Sequence, residues 1–74
     1  MATKTGVTNQ QFADACGIHY SMSSLLRNGH RLPGADLLHT ISKAYGLSLE
    51  DLYVARDKGA KAFGRFLTKH VFNA

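Results

Sequence analysis

A chain of 74 residues, 45% hydrophobic and 19% charged, can fold as one small domain and is too apolar to be a disordered segment. Its formal net charge of +4 suits a polyanionic partner, although the surplus is modest. One cysteine, Cys16, leaves no intramolecular disulfide to form, no apolar run reaches membrane-span length, and MATKTGVTNQ lacks the apolar stretch of a signal peptide, so a reducing, cytosolic setting is expected.

Thr8 with Gln11 three residues on is a capping box, and it predicts a helix through about Ala15 with Phe12 and Ala15 facing inward. Cys16 closes that helix as a small core hydrophobe, and Gly17 supplies a tight turn. A second helix is expected from about Tyr20 to Asn28, ended by Gly29 and followed by a His30-Arg31-Leu32-Pro33 loop. Pro33-Gly34 opens a third helix, in which Leu37, Leu38, Ile41 and Tyr45 recur at helical spacing before Gly46 stops it. Ser48 with Asp51 starts a fourth helix carrying Leu49, Leu52 and Tyr53. After Gly59, at about residues 60–72, Phe63, Phe66, Leu67, His70 and Val71 fall along one face of a fifth. No strand alternation or repeat interrupts this pattern, so the expectation is a small all-α domain of five short helices.

Residues 8 to 28 therefore have the grammar of a helix-turn-helix. With the capped TNQQFADA, Gly17, Ile18, Leu26, Asn28-Gly29, Pro33 and the later LLHTISKAYGLSLEDLY, residues 7 to 53 resemble the phage Cro and repressor type of helix-turn-helix, the broad family often called XRE. The resemblance implies a lambda-repressor-like fold, and it departs from that fold in two places. Only seven residues precede Thr8, so the family's usual first helix is missing, and Phe63, Phe66 and Leu67 are the candidates to cover the core in its place. Ser23 stands where the family carries an apolar residue, which a slight rotation of the helix could remedy by bringing Met22 or Leu25 inward.

The resemblance implies a double-stranded DNA operator as partner and a transcriptional regulator, a Cro-like repressor, as function, acting in bacterial or phage-infected host cytoplasm. It also implies that His19, Tyr20, Ser21, Ser24 and Leu25 reach base edges. Their chemistry suits that role: hydroxyls and imidazole exchange hydrogen bonds with bases, and leucine contacts a thymine methyl. The bland alternative makes Tyr20 and Met22 semi-exposed packing residues. Asn9 and Gln10 at a helix N-terminus, Arg27, Arg31 and Asn28 are the candidate phosphate contacts, in a stretch from Ala15 to Ala35 without a carboxylate. Asn28-Gly29 also reads simply as a helix C-cap, and both roles can hold together. A second basic set, Arg56, Lys58, Lys61, Arg65 and Lys69, is either a solvated face or a further DNA contact.

Phe63, Phe66, Leu67 and Val71, with Phe72 beside them, form an apolar face that either folds back on the core or serves as a homodimer interface. A dimer is the expected state, because phage regulators read paired half-sites. His19, His30, His39 and His70 show no metal-ligand spacing, and the glycines form no phosphate loop. No enzyme activity, cofactor, metal, membrane contact or small-molecule substrate is therefore expected. Two other readings stand beside the repressor: an excisionase-like or architectural DNA-binding factor, and a protein-interaction module such as an antitoxin.

Overall fold

The computed structural model describes residues 6–73. The stretch MATKT, part of the segment read above as lacking a helix, lies outside the described residues. Five α-helices follow in order: α1 (Asn9–Cys16), α2 (Tyr20–Arg27), α3 (Ala35–Tyr45), α4 (Leu49–Asp57) and α5 (Ala60–Leu67). A π-helical stretch, Thr68–Phe72, extends α5, and no strand occurs among the described residues. The domain is all-α.

The expected caps form. Gln11 donates its backbone N–H to Thr8 Oγ1 at 3.0 Å, and Thr8 donates its own N–H to Gln11 Oε1 at 2.9 Å. This reciprocal pair satisfies two donors at the start of α1, a helix too short to persist without such help and without packing. Asp51 N–H reaches Ser48 Oγ at the start of α4. Gly34, rather than a side chain, precedes α3, and Asp36 lies in its first turn.

One core serves all five helices. Phe12, Leu26, Leu38, Ile41, Leu52, Phe63 and Leu67 are fully buried, and Val71 and Phe72 nearly so. The inward face of α1 differs from the expectation at one position. Ala13 is buried and Ala15 is exposed, because Phe12, Ala13 and Cys16 form the stripe at i, i+1 and i+4. Burial pushes the Cys16 thiol up from 9.0 to about 11. Tyr45 is also raised, by its burial first and by the Cys16 charge second.

The sign follows from linkage. An unfolded chain gives up the Cys16 proton more readily than the native one. The stability tied to that proton is complete below the ordinary pKa and is lost as pH rises through the native value. Native protein should therefore lose stability between about pH 9 and 11, the window set by the thiol. Cys16→Ala should flatten part of that loss and leave the share due to Tyr45. Denaturant melts at stepped pH check this, and parallel curves for the two proteins would refute it.

The last helix settles how the apolar C-terminal face is used. Phe63, Leu67 and Val71, offered by the sequence as a dimer interface, are at most 1% exposed within a single chain and are therefore not available for pairing. Of that set only Phe66 is half-buried, stacked on the Phe63 ring and tilted against the His70 ring. His70 itself is exposed rather than part of the apolar face. Widening of the helix explains the change of register. Asn73 N–H bonds Thr68 O at 2.7 Å, a five-residue step that adds one residue to the turn. That extra residue lets Val71 and Phe72 both face inward. Phe72 meets Phe12 at a centroid distance of 5.2 Å, and Phe12 stacks on Tyr45 at 5.7 Å.

The end of this helix also lies beside the start of α1. Val7 donates its N–H to Phe72 O at 3.2 Å. The end of the C-terminal helix thus covers the core beside the start of α1.

Candidate nucleic-acid interface

α2 has two sides, and burial separates them sharply. Ser23 and Leu26 are buried, and Met22 is half-buried against the core. Tyr20, Ser21, Leu25 and Asn28 are exposed and Ser24 is half-buried, at offsets of 0, 1, 4, 5 and 8 residues along one stripe. Of the two packing candidates, Met22 takes that role, whereas Tyr20 is 51% exposed.

The helix is not rotated to hide Ser23. The serine itself occupies the inward position, with no exposed surface. Its hydroxyl makes no hydrogen bond among the described residues. A buried polar atom without a partner costs stability, so α2 keeps its orientation at some expense.

His19 sets the N-terminus of α2. Its Nδ1 accepts the Ser21 backbone N–H at 3.1 Å and lies 2.8 Å from Ser21 Oγ. A ring nitrogen that accepts a backbone N–H holds no proton, so the neutral ring carries its proton on Nε2. Nε2–H is then a donor on an exposed residue at the tip of the helix. The residue that caps α2 is thus also one of its candidate base readers, a role that capping preferences for Ser, Thr, Asp and Asn gave no reason to expect. Ser21 Oγ lies against the same ring nitrogen, which fixes where the hydroxyl stands at the tip of the helix. Ser24 Oγ accepts Asn28 Nδ2 at 3.3 Å, which ties the middle of the stripe to its end.

The candidate phosphate contacts divide into three kinds. Asn28 and Arg31 are exposed at the end of α2 and in the following loop. The Asn28 backbone has φ −87° while Gly29 has φ +78°, so Gly29 rather than Asn28 takes the left-handed cap position. The Asn28 amide is not consumed by that cap. Gln10 is exposed, but its amide donates to Asp14 Oδ1 at 3.0 Å, which brings a carboxylate beside the start of α1.

Arg27 is a different case. Its guanidinium lies 4.6 Å above the Phe72 ring, and Nη1 donates to Asn9 Oδ1 at 3.3 Å. Half-buried, it ties α2 to α1 and to the C-terminal helix, and it still lines the surface. The sequence marked Arg27 as a charge for phosphate and gave no sign of this structural contact, since Phe72 is far off in the chain.

Two open clefts meet at Arg27 and Asn73. One, of about 410 Å³, includes Thr8, Asn9, Gln10 and Tyr20. The other, of about 580 Å³, includes Asn28, Lys61, Arg65 and Lys69. Together they run from the start of α1, past the root of α2, to the basic side of α5. Among the described residues no three His, Cys, Asp or Glu side chains come together as a metal-sized group, and no helix is long and apolar enough to cross a membrane. No protein-family model, curated protein or solved structure matches the chain.

Proposed function

We propose that the protein binds duplex DNA sequence-specifically and acts as a Cro-like transcriptional repressor. One observation carries the reading: the exposed stripe of α2, from His19 and Tyr20 to Asn28, holds hydrogen-bonding side chains and one leucine, Leu25, and no carboxylate, while the opposite side of the same helix is anchored in the core. A helix so held presents its N-terminal end as a rigid unit of the width that the major groove admits. The resemblance of residues 7 to 53 to phage regulators points the same way. Arg27, Asn28 and Arg31 flank the stripe with groups suited to phosphate. Asn9 stands at the first turn of α1, where the helix dipole favours an anion, whereas the Gln10 amide is engaged by Asp14.

The protein-module reading relied on an apolar C-terminal face, and that face is packed into the core. An excisionase of the winged type carries strands, and the described residues have none. Neither alternative draws support from the fold. One short reading helix covers roughly half a turn of groove, so two copies on half-sites about 34–36 Å apart remain the proposed arrangement. Their contact would use a surface other than Phe63, Leu67 and Val71.

Tyr20→Ala and Ser21→Ala should each weaken operator binding by about 1–3 kcal/mol and leave nonspecific binding nearly unchanged. Arg31→Ala should weaken binding to all duplexes and lower the salt slope by about one. Titrations of operator and scrambled duplex at several salt concentrations measure both effects. Equal losses on the two duplexes for Tyr20→Ala and Ser21→Ala would remove them from base reading. Binding of neither duplex by the native protein would defeat the proposal.

A further inference from the structure

The basic stripe of α5 lies against the reading helix. Lys61, Arg65 and Lys69 stand four residues apart along α5 and its extension, and with Arg27 and Asn28 of α2 they line one cleft of about 580 Å³. No carboxylate lines that cleft. Four cationic side chains around one concavity repel one another, and low-dielectric walls focus their field, so the arrangement costs free energy until an anion enters.

The cleft is not an isolated patch. It shares Arg27 and Asn73 with the neighbouring cleft at the start of α1, into which Tyr20 also faces. It is therefore continuous with the surface on which α2 would meet DNA. A single bound ion would neutralise one or two of the charges. A sugar-phosphate strand, with a charge at each nucleotide, matches a stripe repeated at each turn of helix.

We propose that Lys61, Arg65 and Lys69 form a phosphate-backbone site. They would hold the DNA strand flanking the bases read by α2, so that the helix completing the core also widens the DNA footprint. This rests on the reading of the protein as a duplex DNA binder. Gly64, in the same helix, sets how near the stripe comes to α2. A Cβ there would lie 2.7 Å from Arg27 O, so the two helices approach to backbone contact and the cations of both reach one strand.

The test removes two charges from the cleft with R65Q/K69Q and one from α3, away from the cleft, with K43Q. All three residues are exposed, so thermal melts should stay close to those of the native protein. Binding to operator and scrambled duplex is titrated from 50 to 200 mM salt. R65Q/K69Q should lower the salt slope by about two on both duplexes and leave the ratio of the two affinities unchanged. K43Q should leave the slope near its native value. An unchanged slope for R65Q/K69Q, or a fall of the same size per charge for K43Q, overturns the cleft and leaves the α2 reading intact. A fall in slope for R65Q/K69Q alone, in a protein that does not distinguish operator from scrambled duplex, supports the cleft and defeats sequence-specific reading. Failure of the native protein to bind either duplex defeats both.

Discussion

Removing residues 60–73 should leave a chain that does not fold. The deletion takes away Phe63, Leu67, Val71 and Phe72, none of which is more than 2% exposed. Full burial of such side chains contributes about 1.5–3 kcal/mol each, so the four together contribute on the order of 6–12 kcal/mol. Domains as a whole are stable by only about 5–15 kcal/mol, and a chain this short belongs near the lower end. The loss also strips Phe12 and Leu26 of their cover. Circular dichroism of the truncated chain should show little helix and no cooperative melt. A sharp melt would mean that α1 to α4 form a core of their own, and that the C-terminal helix is an accessory.

The same geometry predicts that the order of the chain can change. Because Val7 N–H bonds Phe72 O, the two ends of the described fold are adjacent. A permuted protein could begin at Gly59, run through the C-terminal helix, cross a few Gly/Ser residues from Asn73 to Gly6 and end at Lys58. It should fold with a single melt, because every buried contact is kept and only the connection between α4 and α5 is opened. Truncation and permutation thus separate the need for the helix from the need for its place in the sequence.

Much of the fold was legible because local signals agreed with global packing. Thr8 and Gln11 formed the predicted box, Leu38 and Ile41 faced inward at their helical spacing, and Gly46 ended α3. The two sides of α2 were legible only in part: Leu26 faced inward at its helical spacing, whereas Ser23, which a rotation of the helix was expected to turn aside, kept the inward position. Contacts between distant parts of the chain were not legible. Arg27 looked like a free charge because nothing near it in sequence announces Phe72 as its partner. His19 became a cap because its ring folds back on Ser21, a rarer solution than a serine or aspartate. Phe72 was placed only beside the apolar face, since a regular 3.6-residue period does not foresee a turn with one residue more. The apolar C-terminal face left two uses open, and only packing could choose the inward one. Gly64 carried no local signal at all, being a glycine in mid-helix with no turn to make.

Gly64→Ala should be the most damaging small substitution in the protein. In an exposed helix the change would favour folding by roughly 1 kcal/mol, since alanine is the better helix former. Here the new methyl would stand 2.7 Å from Arg27 O and 3.0 Å from both Leu26 O and Gly29 N. All three neighbours are backbone atoms, and none can swing aside as a side chain could. Gly29 is bound to its own turn through a hydrogen bond to Leu26 O, and Arg27 is tethered by Asn9 and Phe72. Relief must come from moving α5 away from α2, which draws Phe63 and Leu67 out of the core on the same helix. Overpacking of this kind costs about 1–3 kcal/mol and sometimes more, and the rigid partners place this site at the upper end. After the gain in helix propensity, a net loss of about 2 kcal/mol is expected. For a domain of this size that lowers Tm by roughly 8–16 °C. A displaced α5 would also carry Arg65 and Lys69 away from Arg27, so the duplex affinity proposed above, measured well below the melt, should fall as well. Calorimetry and a binding titration on the one variant decide the matter. A Tm equal to or above the native value would show that α2 and α5 lie farther apart than backbone contact.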